Sequence, residues 1–208
     1  MGEKNNLSET YREKLRDRII DTAFQLFVTN GIRAVRMNDI VDHLSISKRT
    51  LYEVFEDKEQ LLLAVIEYQE DKRNKLMAEY VKDHDVLEIV IEMYRLQVQG
   101  SRRVNPQFYA DLRRYPDLLE KIRKRHKKNG EKMISFFKRG AEEGLFRSDV
   151  DYVILVDLIG VQMEYIMNSK MQFKYEFSAI FKNVMLVNVR GLCTEKGFRL
   201  LEEYQKRI

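Results

Sequence analysis

Residues 36–58 read RMNDIVDHLSISKRTLYEVFEDK, and the fold is decided there. Met37, Ile40, Val41 and Leu44 recur at the spacing of one helix face. Ser45, Ile46 and Ser47 interrupt the pattern. Ile46, Leu51, Val54 and Phe55 then form a second apolar stripe, with Ser47 placed to accept a backbone N–H at the start of that helix. Lys48, Arg49, Thr50 and Tyr52 lie off the stripe and are expected to face outward. A short helix with cations and hydroxyls at its N-terminal end suits the major groove of DNA, where Arg or Lys bonds guanine edges or phosphate. The same residues would also serve as the wet side of an ordinary amphipathic pair, and composition does not choose between the two.

The flanking residues do choose. Phe24, Leu26, Phe27 and Gly31, then Met37, Asp39 and Ile40, then Ile46, Ser47, Lys48, Thr50, Leu51, Tyr52, Phe55, Lys58, Glu59, Leu61 and Leu62 resemble the TetR/AcrR family of one-component repressors. The likeness covers about residues 16–66, a quarter of the chain. Its most specific part is S-K-x-T-L-Y-x-x-F-x-x-K at residues 47–58. The resemblance implies an all-α homodimer with an N-terminal three-helix helix-turn-helix domain, residues 8–56. A larger helical domain for ligand sensing and dimerisation would occupy 57–208. It further implies a palindromic double-stranded operator and a small-molecule effector that releases it. On the family pattern Tyr52 and Lys58 touch phosphate, while Lys48, Arg49 and Thr50 form the base-reading end; Arg36, Asn38 and Ser47 complete the expected DNA-contacting set. Two positions depart from the pattern. Arg36 stands where the family has a capping Thr or Ser, and it has no acceptor to offer; a phosphate contact is the expectation instead. Ser45 stands where the family has the turn Gly, which takes a left-handed backbone without strain.

At 208 residues the chain is long enough for a sizeable core, as one domain or a small domain plus a larger one. Two Pro, nine Gly and abundant Leu, Ile, Glu, Lys and Arg favour helices, and no alternating strand pattern appears. The single Cys193 cannot form an internal disulfide and fits a reducing compartment. The polar start MGEKNNLSE has no signal-peptide core, Asn6 spoils a myristoylation motif, and no run approaches the roughly 20 apolar residues of a membrane span. A cytoplasmic protein is expected. The net charge of +4 is mild, and residues 1–56 carry nine Lys/Arg against nine Asp/Glu. The surplus sits at 102–139, with thirteen Lys/Arg against Asp111, Asp117, Glu120 and Glu131. The DNA footprint must therefore be local, at helix tips.

In chain order, residues 1–7 are expected to be disordered. A first helix starts near Ser8 or Thr10 and stops at Asn30-Gly31. Asp57, with Gln60 three residues on, caps a fourth helix that runs towards Val81. Further helices are expected at 86–99, after Asn105-Pro106, at 117–143, 151–168 and 177–192, with a short one at 196–207. The helix at 151–168 is apolar on most sides and is followed by another apolar helix, so the pair is the expected dimer interface, with Val156, Ile159, Leu186 and Val189 in it. Asp157 and Glu164 share one face of that helix, for pairing, exposure or ligand contact. Met93, Tyr94, Phe108, Tyr109, Phe137, Met163 and Met167 are candidates to line an effector cavity of a few hundred Å³, since Met and aromatic side chains suit bulky apolar ligands.

His43, His84, His126 and Cys193 show no metal-ligand spacing, and there is no phosphate loop, glycine elbow or kinase motif. Neither a cofactor nor catalysis is expected. The run Arg123–Lys128 could bind an anionic surface or be the wet face of its helix. The function expected from these residues and the resemblance is a repressor released by a small molecule. A ligand-independent structural or division-control factor of the same fold is the alternative, distinguished by many scattered DNA sites rather than one or two beside a promoter.

Overall fold

The computed structural model describes residues 2–128, 130–169 and 171–206, without the side chains of 2–9, 126–128, 167, 168, 172 and 177. Twelve helices follow one another in those residues, joined by turns and one isolated bridge between Phe146 and Cys193. They fall into two compact units, Met1–Arg73 with Asn105–Leu118, and Asn74–Val104 with Leu119–Ile208.

The first unit starts with α1 (Gly2–Asn30), which runs back to Gly2 rather than starting near Ser8, since nothing ahead of Ser8 stops a helix. Leu15, Ile19, Ile20, Ala23 and Phe27 make its buried face. Gly31 ends it at φ 84. There follow α2 (Met37–Leu44), α3 (Lys48–Val54) and α4 (Lys58–Asp83). Asp57 caps α4 as expected, its carboxyl accepting from Gln60 N–H at 2.7 Å, while Gln60 accepts in return from Glu56 N–H at 2.7 Å. The expected division after residue 56 differs from the compact units. Leu61, Leu62, Ala64 and Val65 of α4 are buried, so its first half goes with α1–α3. Helix α6 (Pro106–Leu112) also belongs here, packed on α1. Asn105 caps α6 by accepting from Gln107 N–H at 2.9 Å, and it donates to the end of α1, N–H to Val28 O at 2.7 Å and Nδ2–H to Thr29 O at 3.1 Å.

In the second unit α5 (Val86–Ser101) packs against α8 (Gly130–Glu142), α11 (Phe177–Leu192) and α12 (Glu195–Gln205). Val86, Leu87, Val90, Phe137, Phe146, Tyr152, Val189 and Leu201 form the core. Gly140 gives the Phe146 ring its seat: a Cβ there would lie 2.1 Å from ring carbon Cδ2. One ion pair on α8 ties the α4–α5 corner together. Arg139 bonds Glu143 at 2.7 Å and donates to Val81 O and His84 O, and Glu143 accepts from Val86 N–H at 3.1 Å. The stretch expected to be helical at 117–143 is helical in its described residues, as α7 (Pro116–Lys128) and α8; Asn129 between them lies outside the described residues. Helix α9 (Tyr152–Asn168) starts at the expected place, Asp151 accepting from Val153 N–H at 2.9 Å and Ile154 N–H at 3.2 Å. A short α10 (Met171–Lys174) precedes α11. No helix among the described residues is long and apolar enough to cross a membrane.

Candidate nucleic-acid interface

Helix α3, the candidate reading helix, is positioned from beneath. Leu51 and Phe55 are buried, and the Arg16 guanidinium of α1 lies over the Phe55 ring at 5.7 Å. With that stripe fixed inward, Lys48, Arg49 and Tyr52 are exposed and Thr50 is half-buried. Ser47 caps α3, its hydroxyl accepting from Thr50 N–H at 3.0 Å and sharing a 2.7 Å bond with the Thr50 hydroxyl. Such a cap is worth about 1 kcal/mol. The Lys48 ammonium lies 5.9 Å from the Tyr52 ring centre, which steadies two candidate DNA contacts against each other. Arg49 pairs with Glu53 one turn on, at 2.8 Å, on a fully wet surface. Glu53 thus puts a negative charge on the reading face, which counting cations alone overlooks.

Helix α2 starts without the usual cap. Arg36 supplies only its backbone: its carbonyl accepts from Asp39 N–H at 3.1 Å, and its own N–H donates to the Asp39 carboxyl at 2.6 Å. The acid at the third helical position does the capping, a signal present in the sequence as Arg36-x-x-Asp39. The Arg36 side chain and Asn38 are exposed on this unit. Ser45 closes α2 in the left-handed region, φ 52, the one such non-glycine among the described residues.

Lys58 is placed differently from the phosphate contact that the resemblance implies. Its ammonium donates to Val35 O and lies 5.8 Å from the centre of the Phe27 ring. Burial lowers its pKa, and the charges of Asp111 and Asp39 partly offset that. Lys58 therefore braces the α1–α2 turn from the start of α4.

The other candidates are dispersed. Phe108 and Tyr109 stack edge to face at 5.5 Å within the first unit. In the second, Tyr94 stacks on Phe181 at 6.3 Å, Phe137 is buried against Tyr152 and Phe146, Met163 is half-buried and Met93 is exposed. The Met167 side chain lies outside the described residues. An open groove of about 450 Å³ between α8 and the start of α9 is bordered by Ile134, Lys138, Glu142 and Tyr152, and by none of the seven. Of the expected interface residues, Leu186 and Val189 are buried in the unit's own core and Val156 and Ile159 pack against it. The exposed apolar side of the same helices is instead Val153, Ile154, Leu158, Val161, Tyr165 and Val187. Asp157 is exposed and Glu164 pairs with Arg123 at 3.4 Å; Arg123 and Lys124 also pair with Glu120. Burial pushes the Cys193 thiol up to about 11, so it is no nucleophile near neutrality. Among the described residues no group of His, Cys, Asp or Glu could hold a metal ion.

Residues 19–65 match the model of the bacterial regulatory proteins of the tetR family. That span contains α2, α3, their caps and the start of α4. Those residues place the chain's N-terminal part in the TetR family. It is 26% identical over 153 residues to the HTH-type transcriptional repressor KstR2 of Mycolicibacterium smegmatis, covering 69% of this chain and 71% of that one. It is 25% identical over 186 residues to the HTH-type transcriptional regulator QacR of Staphylococcus aureus, covering 81% and 97%. The fold is shared with the transcriptional regulator FadR of Bacillus subtilis, solved in complex with stearoyl-CoA: TM-score 0.62, 20% identity, 84% and 98% covered. The chain is a DNA-binding transcriptional regulator.

Proposed function

We propose that the chain is a repressor that binds a palindromic operator as a homodimer, one α3 per half-site, and leaves it when a small molecule occupies the second unit. The observation that carries the reading is α3 itself. Leu51 and Phe55 hold its inner side, and Lys48, Arg49, Thr50 and Tyr52 stand at the end that enters a groove. Ser47, Arg36 and Asn38 flank that end. Dimerisation is supported by α9, where Ile154, Leu158, Val161 and Tyr165, at steps of four, three and four residues, are 56–66% exposed. A seam at that spacing is what a second helical pair covers. The interface we propose is thus the outward register of α9 and α11, next to Val156, Ile159, Leu186 and Val189 rather than through them.

Release by a ligand needs a route between the units, and the chain provides three strands of it: along α4 past Arg73, and at both ends of the 105–118 segment. The ligand acts only through its preference for the non-binding state, and a tenfold loss of operator affinity requires about 1.4 kcal/mol of it. Stearoyl-CoA, the ligand of the B. subtilis FadR structure, is the first compound to test. We read the protein as cytoplasmic and without catalytic activity. The test is selection of binding sites from a random duplex pool, followed by genome-wide occupancy. An enriched palindrome occupied at one or two promoters is expected; no enriched sequence would refute the reading, and many scattered sites would favour a structural factor.

A further inference from the structure

We infer that Asp111 is a positioning residue for DNA reading: from inside the protein, its carboxyl group fixes the turn from which α2 and α3 start. The inference rests on the reading of α3 as the DNA-contacting helix. Asp111 is 1% exposed, the one buried charged residue among those described. One of its oxygens accepts from the backbone N–H of Arg33 at 2.7 Å, 78 residues away in sequence. The other accepts from Gln107 Nε2–H at 2.7 Å, one helical turn earlier on α6. Gln107 thereby fixes the rotation of the carboxyl group, and the carboxyl group fixes the turn.

The contact has no slack. Gly31 has φ 84, and a Cβ there would meet Gln107 Cγ at 3.0 Å and the Asp111 carboxyl at 3.2 Å, so α6 lies directly on the turn's backbone. The start of α6 is bonded to Val28 and Thr29 of α1 through Asn105. Across the turn, Lys58 at the start of α4 bonds Val35 O. Residues 31–35 are thus held by two side chains of opposite charge, each from a different helix, and α2 begins two residues later.

A buried acid is a poor choice for stability alone. Taking it out of water costs several kcal/mol, and apolar groups of similar volume often serve as well or better. What the acid adds is geometry. Two oxygens in a fixed fork specify where one backbone amide lies, and that amide sits three residues ahead of Arg36. A reader displaced by a fraction of an ångström loses base-edge hydrogen bonds, which are directional, more than phosphate attraction, which is not.

The test uses the full chain and the operator enriched by the wild-type protein. Asp111→Ala, Asp111→Asn and Gln107→Leu are compared for affinity to that operator and to a random duplex, for salt slope and for melting temperature, at a temperature where each is folded. For Asp111→Ala we expect about tenfold or greater loss on the operator, with random-duplex affinity and salt slope unchanged, because no phosphate contact is removed. Asp111→Asn keeps an acceptor for Arg33 and offers Gln107 a partner after an amide flip, so it should restore operator affinity to within about threefold. A stability role alone would lower the melting temperature and leave the folded protein's affinity intact. Folded Asp111→Ala with wild-type operator affinity overturns the inference. If Asp111→Ala does not fold, Gln107→Leu decides in its place: about threefold operator loss supports the inference, and wild-type affinity overturns it. A wild-type protein that enriches no sequence refutes the DNA reading, and this inference with it. Enrichment by wild type together with full binding by Asp111→Ala refutes this inference alone.

Discussion

The α2–α3 pair and the α9–α11 pair each leave one side exposed, and the two sides have opposite chemistry. On α3 the exposed groups are Lys48, Arg49, Tyr52 and Glu53. On α9 they are Val153, Ile154, Leu158, Val161 and Tyr165. Water satisfies the first side whenever its partner is away, so its contacts can form and break. Water penalises the second by roughly 25 cal/mol for each Å² left uncovered. A face for reversible binding and a face for standing assembly are told apart by that cost. The function proposed above gives the first to DNA and the second to another copy of the chain.

The largest expected effect tests that assignment. Leu158→Glu places a charge on a side chain that is 56% exposed in one protomer, so the protomer should fold and melt within a few degrees of wild type. It should sediment as a monomer and lose operator affinity by roughly a hundredfold or more, because a lone copy reads one half-site. Leu186→Glu, on the inner register, should instead unfold the second unit, since an unpaired buried charge costs about 3–5 kcal/mol. If Leu186→Glu is the folded monomer and Leu158→Glu the unfolded chain, the registers are reversed.

Next comes the reading face. Arg49→Ala should weaken operator binding by roughly ten- to a hundredfold and random DNA hardly at all. Glu53→Ala should do the reverse in sign on random DNA, tightening it slightly by removing a negative charge from the face. Equal loss on both DNAs for Arg49→Ala would make Arg49 a phosphate contact rather than a reader. Lys58 follows. Because its ammonium is held by Val35 O, Lys58→Met should lower stability by about 1 kcal/mol and leave the salt slope unchanged. A slope lower by about one would mean that Lys58 lets go of Val35 to hold phosphate in the complex.

What could be read in the sequence divides along the same line. The α2–α3 pair was legible because its work depends on residue type at fixed spacing: a capping Ser47, apolar Leu51 and Phe55, and cations between them. The cap at Asp57 and the helix starts at Asn105 and Asp151 were legible for the same reason, and in the structure all three are short polar side chains two or three residues ahead of the N–H they accept from. The register of α9 was not. A helix apolar nearly all round has no phase, so Val156 and Leu158 look alike until the core of the second unit takes one side. Asp111 was hidden by distance, since nothing local links it to Arg33. Gly31 at the end of α1 was legible as a helix stop, but not as the place where α6 presses on the backbone.

The smallest effect lies in the turn between the reading helices. Ser45 is held at φ 52 and ψ 42, its N–H directed to Asp42 O at 3.3 Å while Ile46 N–H bonds Val41 O at 3.2 Å. A residue with a Cβ loses roughly 1–2 kcal/mol in that conformation, and glycine loses none. Glycine also gives the unfolded chain more freedom, which takes back about 0.5–1 kcal/mol. The balance favours Ser45→Gly by about 0.5–1 kcal/mol, seen as a melting rise of roughly 1–4 °C for a chain of this size. Operator affinity should not change, because Ser45 lies behind the reading end of α3 and the backbone it would adopt is the one already present. A fall in melting temperature would show that the left-handed strain at Ser45 is smaller than the entropy glycine adds. A rise accompanied by weaker operator binding would show that the strained turn holds α3 at its reading angle, as Asp111 is proposed to do from the other side of α2.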